Sequence, residues 1–435
     1  MNSTILTLLY EWKERVLPEV IERDINLEKY ISIRPKKIIV ITGFRRVGKT
    51  YLMYALIKHL LKTYTKEDVI YINFEDERIP LKTEFLSELL PAIKQAFGKL
   101  PSYLFLDEIQ NIPNWSKWVR RIHDTTNIKI FISGSSSKLS SKEIPTELRG
   151  RALEIHVDPL SFSEFLKFKN LKIDFKVVEI VKEKRAELLN LVDEYIKFGG
   201  LPEIVLANKE NKLEIAHSYY NTVVRKDIIE RNRIKNEEVL KALLSLLITS
   251  QKYSVSKLYN ILKNMNFKIG KTTLNEYISY IENSYFIWSL PIFSYKIKDQ
   301  LMYPRKVYVV DNVFIRLFSR YPNIGRLFEN LVANVLRSYY QELYYWASKH
   351  EEVDFVVVDK NKKFLIQACY DPENLEVRER ELKALLKASK EFGCKNLFVV
   401  TYDYQAEEIF ERFGIKRKIK FIPVWKFFKT KKFLK

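Results

Sequence analysis

The sequence predicts an α/β protein: a parallel-sheet domain first, then a helical segment, a winged helix and a second α/β domain. Three observations predict it. Short β-branched and aromatic runs alternate with helical stretches over the first 160 residues. One of those runs feeds a glycine-bounded turn that opens directly into a helix. The same alternation resumes after about residue 303, beyond a largely helical interval.

Taken in order, residues 1–35 read as a helical lead-in ending near Pro35. Strands follow at 38–42, 69–74, 102–107 and 128–133, with helices between them. Such alternation gives a buried parallel sheet whose ligands lie at the C-terminal ends of the strands. From about 160 to 235 the pattern is helical, interrupted by Gly199-Gly200-Leu201-Pro202. An amphipathic run from Glu237 to Thr249 begins the winged-helix segment. Ser254 and Thr272 are suited to cap the helices 255–262 and 273–282, and Trp288 to Phe293 reads as wing strands. The last part carries strands 306–310, 352–358, 363–368 and 396–401 with helices 327–340 and 376–391. The expected domains are therefore 1–160, 161–236, 237–302 and 303–435. A chain of 435 residues is long enough for each to bury a core.

Composition narrows the class. Hydrophobic residues make up 47% and aromatics 14%, as in a globular chain. No apolar run reaches the length of a membrane span, and Met1 to Lys13 lacks the basic start and cleavage site of a secretory signal. With Cys369 and Cys394 the only cysteines, a disulfide framework and a Cys/His zinc module are both excluded, and a reducing cytoplasm is expected. The net charge of +20 points to a polyanion such as DNA or another nucleic acid, against a merely lysine-rich solvated surface. Residues 416–435 concentrate that signal, with nine Lys or Arg, no acid, and Phe421, Trp425, Phe427, Phe428 and Phe433 interleaved.

Residues 43–50, Gly-Phe-Arg-Arg-Val-Gly-Lys-Thr, complete a G-x-x-x-x-G-K-T phosphate loop between strand 38–42 and the helix from Tyr51. Glycine is scarce, 11 residues in 435, so a chance match at all fixed positions is remote. Gly43 and Gly48 let backbone amides face phosphates, Lys49 reaches the terminal ones, and the Thr50 hydroxyl binds Mg²⁺. Gly43, Arg46, Val47, Gly48, Lys49, Thr50 and Tyr51 form the expected contact set for ATP. No guanine-reading Asn-Lys-x-Asp stretch is present.

The strand Tyr103-Leu-Phe-Leu-Asp107 ends in the acid pair Asp107 and Glu108. Beside a phosphate loop, Asp107 would complete the Mg²⁺ shell and Glu108 would deprotonate the attacking water. Ser133 or Ser135, at the end of the next strand, would sense the γ-phosphate. Asn73, closing strand 69–74, would restrain Glu108. Arg149 and Arg151 flank Gly150 just beyond the sheet. An arginine finger there is worth roughly 10³–10⁵ in rate; action in cis and action across a homo-oligomer both stay open.

These motifs resemble one family. Gly43 to Thr50, Leu104-Phe-Leu-Asp-Glu-Ile-Gln110, Ser133-Gly-Ser-Ser136 and Leu148-Arg-Gly-Arg151 are similar to archaeal and bacterial AAA+ ATPases with a DUF4143 C-terminal region. Pro159-Leu-Ser-Phe-Ser-Glu-Phe165, Gly199-Gly-Leu-Pro-Glu203, Arg305-Lys-Val-Tyr-Val-Val-Asp311, Leu327-Phe-Glu-Asn330 and Glu352-Val-Asp-Phe355 extend the likeness along nearly the whole chain. The resemblance implies ATP-dependent action with a winged helix and a nuclease-like C-terminal domain.

In that domain Glu329, Asp354, Gln367 and Cys369 follow the layout of a PD-(D/E)xK nuclease core. Such a core needs two or three carboxylates for Mg²⁺ and a lysine beside them. Gln367 and Cys369 depart from it, being a neutral amide and a thiol in the positions of an acid and the lysine. The domain reads as a degenerate site on a retained fold used for binding. The winged helix offers Lys263, Lys268 and Lys271 to phosphate, with a protein–protein adaptor as its rival use. The rivals to a coupled ATPase are a nucleotide-gated DNA-binding switch and an ATP-dependent nuclease.

Overall fold

The computed structural model describes residues 3–134, 148–319 and 321–429. The chain forms two compact units, Met1–Asp158 and Pro159–Lys435.

In the first unit the apolar runs become strands β1 (Ile38–Thr42), β2 (Val69–Asn73), β3 (Tyr103–Asp107), β4 (Lys129–Ser133) and β5 (Ala152–His156). They lie in the order β2-β3-β4-β1-β5, every pair parallel. Helices between the strands cover the sheet faces, so β1 and β4 are buried along their whole length. Phe105 and Phe131 stack across β3 and β4 at 4.5 Å. The Ser3–Glu14 helix is pinned to the sheet where Trp12 donates its indole N–H to the Val69 carbonyl at 2.9 Å. Register then does the functional work. Asn73 pairs with Asp107 and Ile41 with Ser133, so the polar strand ends share one edge beside the loop that follows β1. The fifth strand is an addition to the four read from sequence. It is an edge strand with polar residues on one side, and Thr42 meets both Glu154 and His156 there.

The second unit begins with the helices Phe162–Phe168, Lys182–Phe198, Pro202–Leu206 and Lys212–Thr222. The next stretch runs Glu237–Thr249 helix, β6 (Lys252–Tyr253), Val255–Asn264 helix, Lys271–Asn283 helix, β7 (Ile287–Leu290) and β8 (Arg305–Val309). β6, β8 and β7 form an antiparallel three-stranded sheet with β8 in the middle. This corrects the expectation that the strand near 306–310 opens the C-terminal α/β segment: its partners are 252–253 and 287–290.

The C-terminal part has β9 (Glu342–Ala347), β10 (Glu352–Asp359), β11 (Lys362–Cys369), β12 (Leu397–Thr401), β13 (Ala406–Arg412) and β14 (Ile415–Pro423), in the order β13-β14-β12-β11-β10-β9. The Leu375–Phe392 helix covers the face that carries Leu365, Val399 and Ile419. In the basic, aromatic stretch from 416, Phe421, Trp425 and Phe427 are core residues on β14 and the Val424–Lys429 helix, while Lys416, Lys418 and Lys420 are exposed. Residues 430–435 lie outside the described residues.

Gly199 and Gly200 join the helical segment to the loop after β8. A Cβ on Gly199, whose φ is +71°, would sit 1.7 Å from Asp311 Oδ1. Gly200 N–H donates to Asp311 Oδ2 at 2.7 Å, and Val313 N–H to Oδ1 at 3.0 Å. Burial pushes the Asp311 carboxyl up to about 7.

Candidate functional site

The loop after β1 turns because two glycines accept backbone conformations closed to other residues. Gly43 has φ +139° and Gly48 φ +96°, and a Cβ on Gly43 would lie 2.3 Å from the Val157 carbonyl oxygen. Val47 is buried beneath the turn and Arg46 is exposed on it. The Lys49–Leu60 helix starts at the end of the loop. Lys49 is buried, and its ammonium donates back to the Gly43 and Phe44 carbonyls at 3.1 Å each, which holds it over the loop. Tyr51 points outward, half exposed, with its ring edge against Tyr54.

Thr50 Oγ1 donates to Asp107 Oδ2 at 2.8 Å. Asp107 is itself buried at the end of β3 and takes further hydrogen bonds from the Tyr71 hydroxyl at 2.8 Å and from Ser133 Oγ. Burial raises the Asp107 carboxyl, and the hydroxyls of Ser133, Thr50 and Tyr71 pull against that rise. Hydroxyl and carboxylate oxygens converging beside a phosphate loop are the hard donors that Mg²⁺ takes, so these residues fit that ion.

Glu108 has φ +53°, which turns its chain away from β3. Its N–H donates to Ser133 Oγ at 3.2 Å, and its carboxylate accepts from the Gln110 amide. The restraint expected from Asn73 is thereby corrected. Asn73 Oδ1 is engaged by the Glu75 N–H at 3.0 Å, while the Glu108 carboxylate accepts from Gln110. Ser135 lies outside the described residues.

Arg149 and Arg151 stand at the other end of the sheet. Arg151 precedes β5, where Ile38 pairs with Ala152, whereas the phosphate loop leaves β1 at Thr42, opposite His156. Four residues of strand separate the two ends, about 13 Å, more than a guanidinium spans. Arg151 Nε also pairs with Asp124 at 2.8 Å. On this geometry neither arginine reaches a nucleotide held by the loop of its own chain.

Sequence reading missed three supports of this site. Arg23 donates to the Val47 carbonyl at 3.0 Å and the Asp158 carbonyl at 2.9 Å, bracing the loop from the N-terminal segment. Tyr71 and Gln110 orient the two acids. The polar Tyr71 inside an otherwise apolar strand was the one available signal.

In the second unit Glu329, Asp354 and Gln367 do come together. Gln367 Oε1 accepts from Asp354 N–H at 2.6 Å, and its amide donates to Glu381. Cys369 is a buried free thiol pushed up to about 12 by burial. The residues do not fit a metal ion. Lys306, missed in the sequence, lies 2.8 Å from both Glu329 and Asp354. Among the described residues no group of three or more His, Cys, Asp or Glu side chains is gathered to hold a metal ion. Nor, among them, is any helix long and apolar enough to cross a membrane.

Comparison with known proteins is consistent along the chain. A profile described as an AAA domain matches residues 35–166, a domain of unknown function (DUF8612) matches 189–319, and another (DUF4143) matches 324–427. The Methanocaldococcus jannaschii protein MJ1544 is 42% identical over 422 residues, covering 94% of this chain and 91% of that protein. A Haemophilus influenzae protein is 28% identical over 369 residues, 82% of this chain and 88% of its own. Among solved structures, the Walker-type ATPase PABY2304 of Pyrococcus abyssi aligns with a TM-score of 0.48 at 16% identity, over 72% of this chain and 99% of its own.

Proposed function

Because this chain belongs to the family, shared with MJ1544, in which an AAA domain precedes a C-terminal DUF4143 domain, we propose that it is an Mg²⁺-dependent ATPase coupled to partner-binding accessory domains. The observation that carries the proposal is the 2.8 Å approach of Thr50 Oγ1 to Asp107 Oδ2 under a complete phosphate loop.

Each side chain then has a task. Gly43 and Gly48 turn amide N–H groups toward the phosphates, and Lys49 sets its ammonium against the β- and γ-phosphates. Thr50 and Asp107 hold Mg²⁺, with Tyr71 and Ser133 fixing the carboxylate. Bound Mg²⁺ supplies charge neutralisation at the phosphoryl oxygens. Glu108 accepts a proton from the attacking water, and Gln110 holds its carboxylate until the partner engages. Arg149 or Arg151 of one copy offsets the charge that develops at the nucleotide of the next, which makes a homo-oligomer part of the proposal.

Measuring nucleotide binding and turnover separately tests it. Lys49→Ala should lose both, whereas Glu108→Gln should keep ATP and stop hydrolysis. Wild-type turnover in Glu108→Gln would remove Glu108 as the base.

Nucleic acid is the partner that the charge of +20 supports. The order helix, β6, helix, helix, β7, β8 supports the winged-helix reading of that segment, and Lys263, Lys268 and Lys271 are exposed on it. Lys362, Lys363, Lys395, Lys418 and Lys420 also line one groove of about 580 Å³ beside the six-stranded sheet. Glu407 pairs with two of them, Lys418 and Lys420. Charge reversal at Lys362 and Lys395 should weaken DNA binding and flatten its salt dependence by about one unit per lost contact. An unchanged salt slope would take this groove out of the interface.

A further inference from the structure

The C-terminal carboxylates already have a cation, and it is a side chain of the same chain. Lys306 comes from β8, the middle strand of the three-stranded sheet. It is only 2% exposed, and its Nζ lies 2.8 Å from Glu329 Oε1, 2.8 Å from Asp354 Oδ1 and 2.9 Å from Glu352 Oε1. One ammonium therefore donates hydrogen bonds to Glu329 and Asp354 and forms an ion pair with Glu352, carboxylates brought from a helix and from β10.

Further partners hold the same carboxylates. Tyr308, two residues along β8 and on the same face, donates to Glu329 Oε1 at 2.7 Å. Asp354 Oδ2 accepts the Ala368 N–H at 2.9 Å, and Glu352 Oε2 pairs with Lys252 from β6. Gln367, the residue that departs from the acidic pattern, fills in as a connector. Its amide donates to the Glu352 carbonyl at 2.9 Å while its oxygen holds the Asp354 N–H. Burial works against the Lys306 charge, yet Asp354 and Glu329 outweigh it and hold its pKa above the ordinary lysine value.

A divalent ion needs oxygens at about 2.0–2.1 Å for Mg²⁺. Placed among these three carboxylates it would lie within contact distance of the ammonium, and two cations at that range repel strongly in a buried site. The two occupants exclude each other.

We propose that Lys306 replaces the metal ion of this nuclease-like core, turning its carboxylates into an ionic clip that fastens strand β8 to the C-terminal sheet. The core holds no divalent ion and cleaves nothing; its acids bind this lysine instead. The geometry also accounts for both departures at once. With the cation supplied from β8, a lysine at position 369 would add a second positive charge, and an acid at 367 could not donate to the Glu352 carbonyl or to Glu381.

The test is Mn²⁺ binding to the nucleotide-free full-length protein, followed by calorimetry and by the thermal midpoint. Wild type and Asp354→Asn should give superimposable Mn²⁺ isotherms, because the carboxylates are already taken. Loss of one stoichiometric Mn²⁺ on Asp354→Asn would overturn the proposal. Lys306→Met leaves three carboxylates around a vacated cation position. It should bind one Mn²⁺ at least tenfold more tightly than wild type does, with a thermal midpoint that rises with Mn²⁺, and Asp354→Asn should cancel both effects. A midpoint that ignores Mn²⁺ in Lys306→Met would also overturn it. Should that variant not fold without Mn²⁺, its recovery by Mn²⁺ supports the proposal, and the wild-type comparison decides by itself. Mn²⁺-dependent plasmid nicking by wild type that disappears in Asp354→Asn counts against it.

Discussion

Tyr71 and Thr50 reach the same oxygen of Asp107, each at 2.8 Å, from different elements of the first unit. Two hydroxyls on one carboxylate oxygen fix the direction in which the other lone pairs point, which is what a ligand of a small octahedral cation needs.

Removing one of them has a definite sign. The Tyr71 hydrogen bond lowers the Asp107 pKa against the upward push of burial. Tyr71→Phe keeps the ring packed on Trp12 and Tyr54 but loses that bond. The acid limb of the ATPase pH profile should move upward by some tenths of a unit, and the Mg²⁺ concentration for half-maximal rate should rise about threefold to tenfold, for a lost bond of about 1 kcal/mol. A steady-state profile of pH against Mg²⁺ checks it; a fall in kcat with neither shift would point to damage elsewhere.

The arginine pair predicts complementation. Arg149→Ala should lower turnover by roughly 10³ or more, as expected for a finger. Mixing it with Lys49→Ala, which keeps its arginines but has no competent loop, should restore part of the activity. Fingers acting inside their own chain would leave the mixture as inactive as its parts.

Gly199→Ala tests the junction in the second unit. Its Cβ would collide with Asp311 at 1.7 Å in a backbone region that side chains disfavour. A loss of about 3 kcal/mol or more is expected, read as a shift in the urea midpoint. Nucleotide binding by the first unit is the control that should survive.

Asp311 predicts a pH dependence of stability. Its folded-state value, about 7, lies above the unfolded value of roughly 3.9. Between those values the native state binds the extra proton, so stability falls as pH rises from about 4 to about 7 and levels off beyond. The slope is at most about 1.4 kcal/mol per pH unit. Asp311→Asn should remove that slope, so urea unfolding at pH 5 and pH 8 should differ less than in wild type. Equal differences in the two proteins would assign the titration to another group.

Much of the first unit was legible because its signals are local. A strand, a turn that needs glycine and a helix follow one another within residues 38–60, and β3 announces its acids by ending on them. β5 was not legible: Glu154 and His156 disguise an edge strand whose polar side meets Thr42. β8 was seen as a strand but given to the wrong sheet, since an apolar run says nothing of its pairing partner. Lys306 escaped for a related reason. The pattern places its lysine two positions beyond Gln367, along β11, while the structure brings one across from another sheet. The burial of Phe421, Trp425 and Phe427 was not legible, because alternation with lysine fits a half-buried strand as well as a nucleic-acid surface.

The opposed ends of β5 carry one more consequence. Under the proposed sharing of arginines between copies, a solitary copy holding ATP would lack the guanidinium, so its specific activity would climb with protein concentration instead of staying flat. Dilution alone would then silence turnover.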